Sequence, residues 1–521
     1  MLAGSAASAQ DVERFRLRVG ANLVSGTERF SITQTGAGYE LTATTTLARG
    51  PAEGSFTLRE TFAPDWTTET YSLEMTGTLG AASVKGERTG DALAFTVTVS
   101  GATPTRELPL KPRMVLMDNM VAAPYQVLLN LTGGRPGPLT IVVPLHLTAV
   151  EGLLSAADAA AGTLDGTPVA TSRWHLTVAG TEMEVYAEAA THRFLRLVVP
   201  SQDFELVHEG FVMAETRQEP AAVARPPGVT EREVHFASAD GQPFAATLCL
   251  PSILPAPLVV LMQGSGPQDR DETIGPNKPF RDLAWGLAER GVATLRYDKR
   301  TYAFPKSYQG TLDSESIDDA AAAVRFAAGL PEVDRGGVFV LGHSLGGLAA
   351  PYVAQKAAVR GLVLAAAPGR PMDRVIRDQV ATLNASQGPE QLARTLALQD
   401  EIMAKVRAGT ATVQDLQGQP PGAIRDMIVR DPIAELRRTT VPLLVIKGGK
   451  DAQVFQADYD ALAGLAAARP GSEARLFPNL THIFTAAEGT ADFKAIFQPG
   501  HVAPEAIDLV AGWVRQTAGR R

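Results

Sequence analysis

Residues 342–346 read Gly-His-Ser-Leu-Gly, a G-x-S-x-G pattern followed by Gly347. An apolar run, 337–341 (GVFVL), leads straight into it, and an Ala-rich stretch follows. Strand, sharp turn and helix in that order lift a serine hydroxyl above a sheet edge, where the helix N-terminus favours developing negative charge. Ser344 is therefore the candidate nucleophile. A serine hydroxyl is weak on its own and needs a base that a third group orients. In strand–turn–helix sites of this kind the chain order is serine, acid, histidine. His482, in the loop after the strand-like 473–477 (EARLF), fits the base. His501, in Pro499-Gly500-His501 at the start of the last helix, reads as a surface or capping residue. The histidines at 146, 175, 192, 208 and 235 precede the turn and read as strand or loop residues, and His343 as packing inside the turn. Asp451 lies just past the apolar run 442–446 (PLLVI) and fits the acid, while Asp458 and Asp460 fall in the next helix and read as solvated.

Acyl transfer at such a serine also needs backbone N–H donors for the tetrahedral oxyanion. One is the N–H of Leu345, directly after the nucleophile. The second is expected from the loop 263–271 (QGSGPQDRD), with the N–H of Ser265 as the candidate. That glycine-bearing loop could also cradle phosphate, but it lacks the Lys-Ser/Thr ending of a P-loop.

These residues must be held by a framework, and the pattern after residue 230 supplies one. Short apolar runs at 257–262 (PLVVLM), 292–295, 337–341, 361–365 and 442–446 alternate with amphipathic stretches. Phe280, Leu283, Ala284 and Leu287 share one helical face and Gly291 closes it; Ile317, Ala320, Ala321 and Val324 share another. Repeated β-α-β units predict a mostly parallel sheet with helices on both faces. The stretch 368–440 interrupts the rhythm, is largely helical (391–408 most clearly), breaks at 417–422 (QGQPPG), and is a candidate lid.

Before residue 218 the pattern differs. Period-2 alternation dominates, as in Phe15, Leu17, Val19 and in Phe95, Val97, Val99, with abundant Thr and Gly-containing turns. The expectation is an antiparallel β domain over 11–217, a curved sheet or half-barrel with one apolar face, with 153–161 its best helix candidate. The Pro-rich 218–229 (QEPAAVARPPGV) reads as a linker to the second domain, 230–521.

Length and composition agree with two domains: 521 residues, 45% hydrophobic and 20% charged, an ordinary globular balance. A net charge of −8 without a basic stripe argues against nucleic-acid binding. No apolar run approaches the roughly 18–20 residues of a membrane-spanning helix. The one cysteine, Cys249, rules out an internal disulfide and a cysteine-based zinc cluster. Residues 1–10 (MLAGSAASAQ) carry an Ala7-Ser8-Ala9 pattern of the kind found at signal-peptide cleavage sites, without a basic or apolar region before it. Export is the expectation from that pattern.

Residues from about 230 to 518 resemble bacterial α/β-hydrolase esterases of the serine-aminopeptidase-like and dienelactone-hydrolase-like group. The resemblance rests on QGSGPQDRDE (263–272), LRYDKR (295–300), LGHSLGG (341–347), GGKDAQV (448–454) and LTHIF (480–484). It implies an α/β-hydrolase fold preceded by a β-rich extension. It implies carboxylic ester hydrolysis by Ser344, Asp451 and His482, with Ser265 and Leu345 lining the oxyanion hole, a scaffold role for Asp298 and Arg300, and no metal or organic cofactor. Such chains usually continue DKR with Gly, whereas Thr301 stands here. A thioesterase or peptidase could use the same three residues, and a non-catalytic ligand-binding scaffold is the remaining alternative.

Overall fold

A computed structural model describes residues 12–519 apart from 20–23, 50–53, 78–80, 100–102, 119–120, 179–180, 200–203, 214–223, 305–306, 386–387, 413–414 and 417–420. Ala7-Ser8-Ala9, the first half of the Pro-rich stretch and most of the QGQPPG break lie outside the described residues. The chain divides into two compact units, Met1–Ala221 and Ala222–Arg521. Among the described residues no helix is long and apolar enough to cross a membrane.

The first unit is an antiparallel meander. Strands Glu13–Val19, Val24–Thr35, Gly38–Arg49, Gly54–Phe62, Thr68–Gly77, Ala82–Thr89, Ala92–Val99 and Thr105–Pro109 each pair with the next. The first strand pairs on its other side with Phe204–His208, and the sheet continues through Phe194–Val199, Thr181–Glu188 and Thr167–Val178. Alternation fixes the register: Phe56, Leu58 and Phe62 face the core while Thr57 and Arg59 face out. The helix expected over 153–161 is not formed. Its ends fall in strands Thr148–Leu154 and Asp158–Leu164, with 155–157 connecting them, because both strands find partners along Thr167–Val178 and pairing overrides the helical preference of Leu and Ala. Among the described residues, the α-helix of this unit is Ala123–Thr132.

Three acids break the apolar inner face. Glu28 is buried and accepts hydrogen bonds from Ala122 N at 2.6 Å, Ala123 N at 2.8 Å and Thr45 Oγ1 at 2.9 Å, so a strand carboxylate caps the helix start. Burial pushes its carboxyl up to about 7 against those donors. Glu60 is less well served. It accepts from Thr68 Oγ1 at 2.7 Å, its Oε2 has no partner among the described residues, and burial with the nearby Asp118 raises it to about 8. Asp118 accepts from Tyr71 Oη at 2.5 Å and Leu145 N at 3.1 Å.

The second unit carries the parallel framework. Its strands are β1 (Thr230–Ala237), β2 (Pro243–Leu250), β3 (Ala256–Met262), β4 (Ala293–Tyr297), β5 (Val333–His343), β6 (Leu362–Ala365), β7 (Leu443–Gly448) and β8 (Glu473–Phe477). They form one sheet in the order β1-β2-β4-β3-β5-β6-β7-β8, with β2 antiparallel to both neighbours and the rest parallel. This is the α/β-hydrolase fold. Because both faces are covered, β3 is apolar throughout: Leu258 and Val260 pack into one core, Val259 and Leu261 into the other. Helices α1 (Pro279–Glu289) and, at the chain end, α9 (Pro504–Gly519) cover one face; α2 (Asp318–Ala328) and α3 (Leu345–Lys356) cover the other. Between β6 and β7 lie α4 (Met372–Leu383), α5 (Pro389–Ala408), α6 (Pro421–Ile428) and α7 (Pro432–Leu436); α8 (Gln456–Ala467) joins β7 to β8.

The state of Glu60 sets a pH dependence. The folded first unit holds this proton well above the unfolded value of 4.5, so stability falls as pH rises from about 4.5 to about 8. Glu60→Gln removes the ionisation. By calorimetry it raises stability relative to the parent by about 1–3 kcal/mol at pH 9, and by little or nothing at pH 5. An equal effect at both pH values would refute the assignment.

Candidate active site

The turn between β5 and α3 places Ser344 at φ 52°, ψ −119°, a left-handed backbone that a non-glycine residue adopts only when its surroundings enforce it. Here they do. Ser344 N donates to Ala365 O on β6 at 2.9 Å, and its carbonyl accepts from Gly347 N at 2.8 Å. The flanking glycines are required by space. A Cβ on Gly342 would lie 2.3 Å from Gly346 O, and one on Gly346 would lie 2.4 Å from Met262 O.

Asp451 and His482 arrive from the ends of β7 and β8. Their side chains meet with His482 Nδ1 2.9 Å from Asp451 Oδ2, both residues buried. The other Asp451 oxygen accepts from Gln453 N at 2.7 Å and Val454 N at 3.0 Å. Burial opposes the Asp451 charge, but His482, Lys447 and the Val454 N–H hold its carboxyl below the usual range. Neither the Ser344 hydroxyl nor His482 Nε2 makes a hydrogen bond among the described residues; such contacts commonly tighten only with substrate bound. His501 is elsewhere: it is 64% exposed in its side chain, and its Nδ1 lies 3.0 Å from Asp282 Oδ2.

The loop after β3 lies against the serine. A Cβ on Gly264 would come 3.1 Å from Ser344 Cβ. Among the described residues the N–H groups of Ser265 and Leu345 make no hydrogen bond. The loop is pinned from behind: Arg270 pairs with Asp298 at 2.7 Å, and Thr273 N donates to Asp269 Oδ1 at 2.8 Å. Arg300 is also occupied, with Asp319 at 2.6 Å and Asp240 at 2.7 Å, and Thr301 sits in a single helical turn, Arg300–Ala303.

Three residues of this region carry more than the sequence reading gave them. Glu272 is buried, and its Oε1 accepts from Gly264 N at 2.6 Å and from His343 Nδ1 at 3.0 Å. His343 Nε2 donates in turn to the backbone oxygen of His482 at 3.0 Å. Both ring nitrogens of His343 thus face acceptors, which only the doubly protonated ring satisfies. Burial works against that charge, but Glu272 outweighs it and raises the His343 pKa. His343 therefore ties the Gly264 loop, the Ser344 turn and the His482 loop together. Lys299 is the third, buried with its ammonium on the same loop. The tight spacing of 264–272 was the available signal for Glu272; nothing local marked its partner. Asp458 is a correction. It is fully buried rather than solvated, because Arg370 pairs with it at 2.8 Å and Gly369 N and Arg370 N donate to its Oδ1. No group of three or more His, Cys, Asp or Glu with metal-binding geometry occurs among the described residues.

Residues 276–493 match the family described as the Alpha/beta hydrolase family. Esterase EstD of Thermotoga maritima is 36% identical over 263 residues, which is 50% of this chain and 62% of that relative, so the chain spans under two thirds of its length. Among solved structures, an esterase of Pyrococcus furiosus, Pf2001, aligns with 56% of this chain and 92% of its own at 15% identity and TM-score 0.38. The esterase domain of a Rhodothermus marinus protein aligns with 56% of this chain and 100% of its own at 19% identity and TM-score 0.35. The fold assignment itself rests on the strand order above.

The Glu272–His343 pair has a testable signature. A histidine with a raised folded pKa contributes stability that is complete below its unfolded pKa of about 6.5 and is lost as pH rises through the folded value. His343→Gln should therefore lower the melting temperature more at pH 6 than at pH 9. A pH-independent loss would show that His343 is neutral in the folded protein.

Proposed function

We propose that this protein is a serine hydrolase that cleaves carboxylic esters through an acyl-enzyme. The observation that carries the reading is the strained Ser344 at the β5–α3 turn together with the His482–Asp451 pair delivered from the ends of β7 and β8. The kinship with an esterase over half the chain supports an ester as substrate. In this reading His482 Nε2 takes the proton of Ser344 as Oγ bonds to the ester carbonyl carbon. Asp451 holds the ring with Nδ1 protonated and stabilises the imidazolium. The N–H groups of Leu345 and Ser265 receive the oxyanion. His482 then protonates the leaving alcohol, and water releases the acid by the reverse path. Helices α4–α7, inserted between β6 and β7, form the lid of this site. Residues 11–217 act as an accessory β domain outside the reacting groups.

Turnover of a short-chain p-nitrophenyl ester and labelling by a fluorophosphonate test the reading. Ser344→Ala should abolish labelling and lower kcat by about 10⁴–10⁶ with the melting temperature kept. His482→Ala should be nearly as damaging and His501→Ala mild. Asp451→Asn should cost roughly 10⁴. A Ser344→Ala variant retaining a tenth of the parent turnover would end the proposal.

A further inference from the structure

The loop that is to supply the second oxyanion donor has a cation behind it. Lys299 lies two residues beyond β4 and is buried. Its ammonium donates to Gly264 O at 2.8 Å, Gly266 O at 3.0 Å and Glu315 Oε1 at 2.5 Å, which uses all three of its protons. From the other side Glu272 takes the Gly264 N–H at 2.6 Å. The Ser265 carbonyl accepts from Gln268 Nε2 at 3.3 Å. Of the polar backbone groups of Gly264 and Ser265, only the Ser265 N–H has no partner among the described residues.

We propose that Lys299 is a positioning residue that electrostatically backs the oxyanion hole, by binding the carbonyl oxygen of the Gly264–Ser265 peptide whose N–H faces the reacting ester. The inference rests on the serine-hydrolase reading above. The physical reason is that a peptide's oxygen and nitrogen are one conjugated unit. A cation on the oxygen draws density from the nitrogen, so the N–H becomes a stronger donor toward negative charge. A bond to an ammonium is about twice as strong as a neutral one, and the water-poor setting of a buried lysine preserves that difference. Glu315 neutralises the lysine overall, so its influence is local to the loop. The benefit appears when the substrate oxygen becomes an anion, because a strengthened N–H favours full negative charge more than a neutral carbonyl. Lys299 should accordingly act on kcat and leave ground-state binding nearly untouched.

A loop tie alone would not need a charge, and that separates the two roles. Lys299→Gln keeps a hydrogen-bond donor without charge; Lys299→Arg keeps donor and charge. The readouts are kcat and KM on a short p-nitrophenyl ester, the inhibition constant of a trifluoromethyl ketone, and the melting temperature. That ketone adds Ser344 Oγ reversibly: the new C–O bond forms, the carbonyl π pair moves onto oxygen, and the serine proton goes to His482. The adduct thus presents the same oxyanion without a leaving group. Lys299→Gln should lower kcat about tenfold with KM within about twofold, a milder loss than deleting a whole oxyanion donor. The ketone should weaken by the same factor, and Lys299→Arg should restore both to within about threefold. Parent-like kcat and ketone affinity in folded Lys299→Gln would overturn the inference. If Lys299→Gln does not fold, Lys299→Arg decides alone: a tenfold loss of kcat at unchanged KM overturns it, and near-parent values support it. Turnover surviving in Ser344→Ala would instead overturn the serine-hydrolase reading, whatever Lys299 does.

Discussion

The backbone at Ser344 cannot relax, and the second unit is arranged around that fact. The chain leaves β5, turns through a left-handed residue and enters α3 within three residues. The turn is possible only because Gly342 and Gly346 let backbone approach backbone, and because β6 supplies the Ala365 carbonyl that holds Ser344 N. Strain of this kind costs of order 1–3 kcal/mol and persists only where surrounding packing over-determines it. The two apolar cores on either face of the sheet supply that packing. The parallel order also sets where the other groups can come from. Loops at the carboxyl ends of β3, β5, β7 and β8 all emerge on one edge, which is why one crevice receives contributions from residues scattered over the unit.

Polar ties then convert that shared edge into a defined geometry. Glu272 accepts from the Gly264 loop and from His343, and His343 donates to the His482 loop. Asp458 does the same for the start of the helical insertion, holding Gly369 N, Arg370 N and the Arg370 guanidinium together. These are buried charges, which destabilise unless every partner is in place. They therefore specify one arrangement of the loops more than they add stability. The first unit follows the same economy with Glu28, whose two oxygens satisfy the first N–H groups of the helix beginning at Ala123.

Much of the framework was legible in the sequence, for physical reasons that differ by element. The α/β pattern after residue 230 shows because strands covered on both faces must be apolar throughout and their helices must be amphipathic. The Ser344 turn shows because its steric demand leaves glycine at fixed offsets. The meander of the first unit shows because apolar and polar residues alternate along most of its strands, with few breaks such as Glu28 and Glu60. What stayed hidden depends on partners far along the chain. The segment 153–161 looks helical in isolation, and its two ends become strand through pairing with Thr167–Val178. Asp458 looks like a surface helix residue until Arg370 is placed beside it. Glu272 and His343 are 71 positions apart, and neither residue type by itself predicts the other.

That separation has a consequence for how the protein comes into being. The tie from His343 to the His482 carbonyl spans 139 positions, and Asp451 meets His482 across 31. During synthesis the residues of the serine turn are made well before Asp451 and His482, and the packing that holds the turn includes segments made later still. Under the proposed function, a nascent or truncated chain ending before residue 482 would carry the Ser344 hydroxyl with no group to remove its proton. Hydrolytic competence, in that reading, would await the chain through residue 482, and shorter immature chains would be chemically silent toward the esters around them.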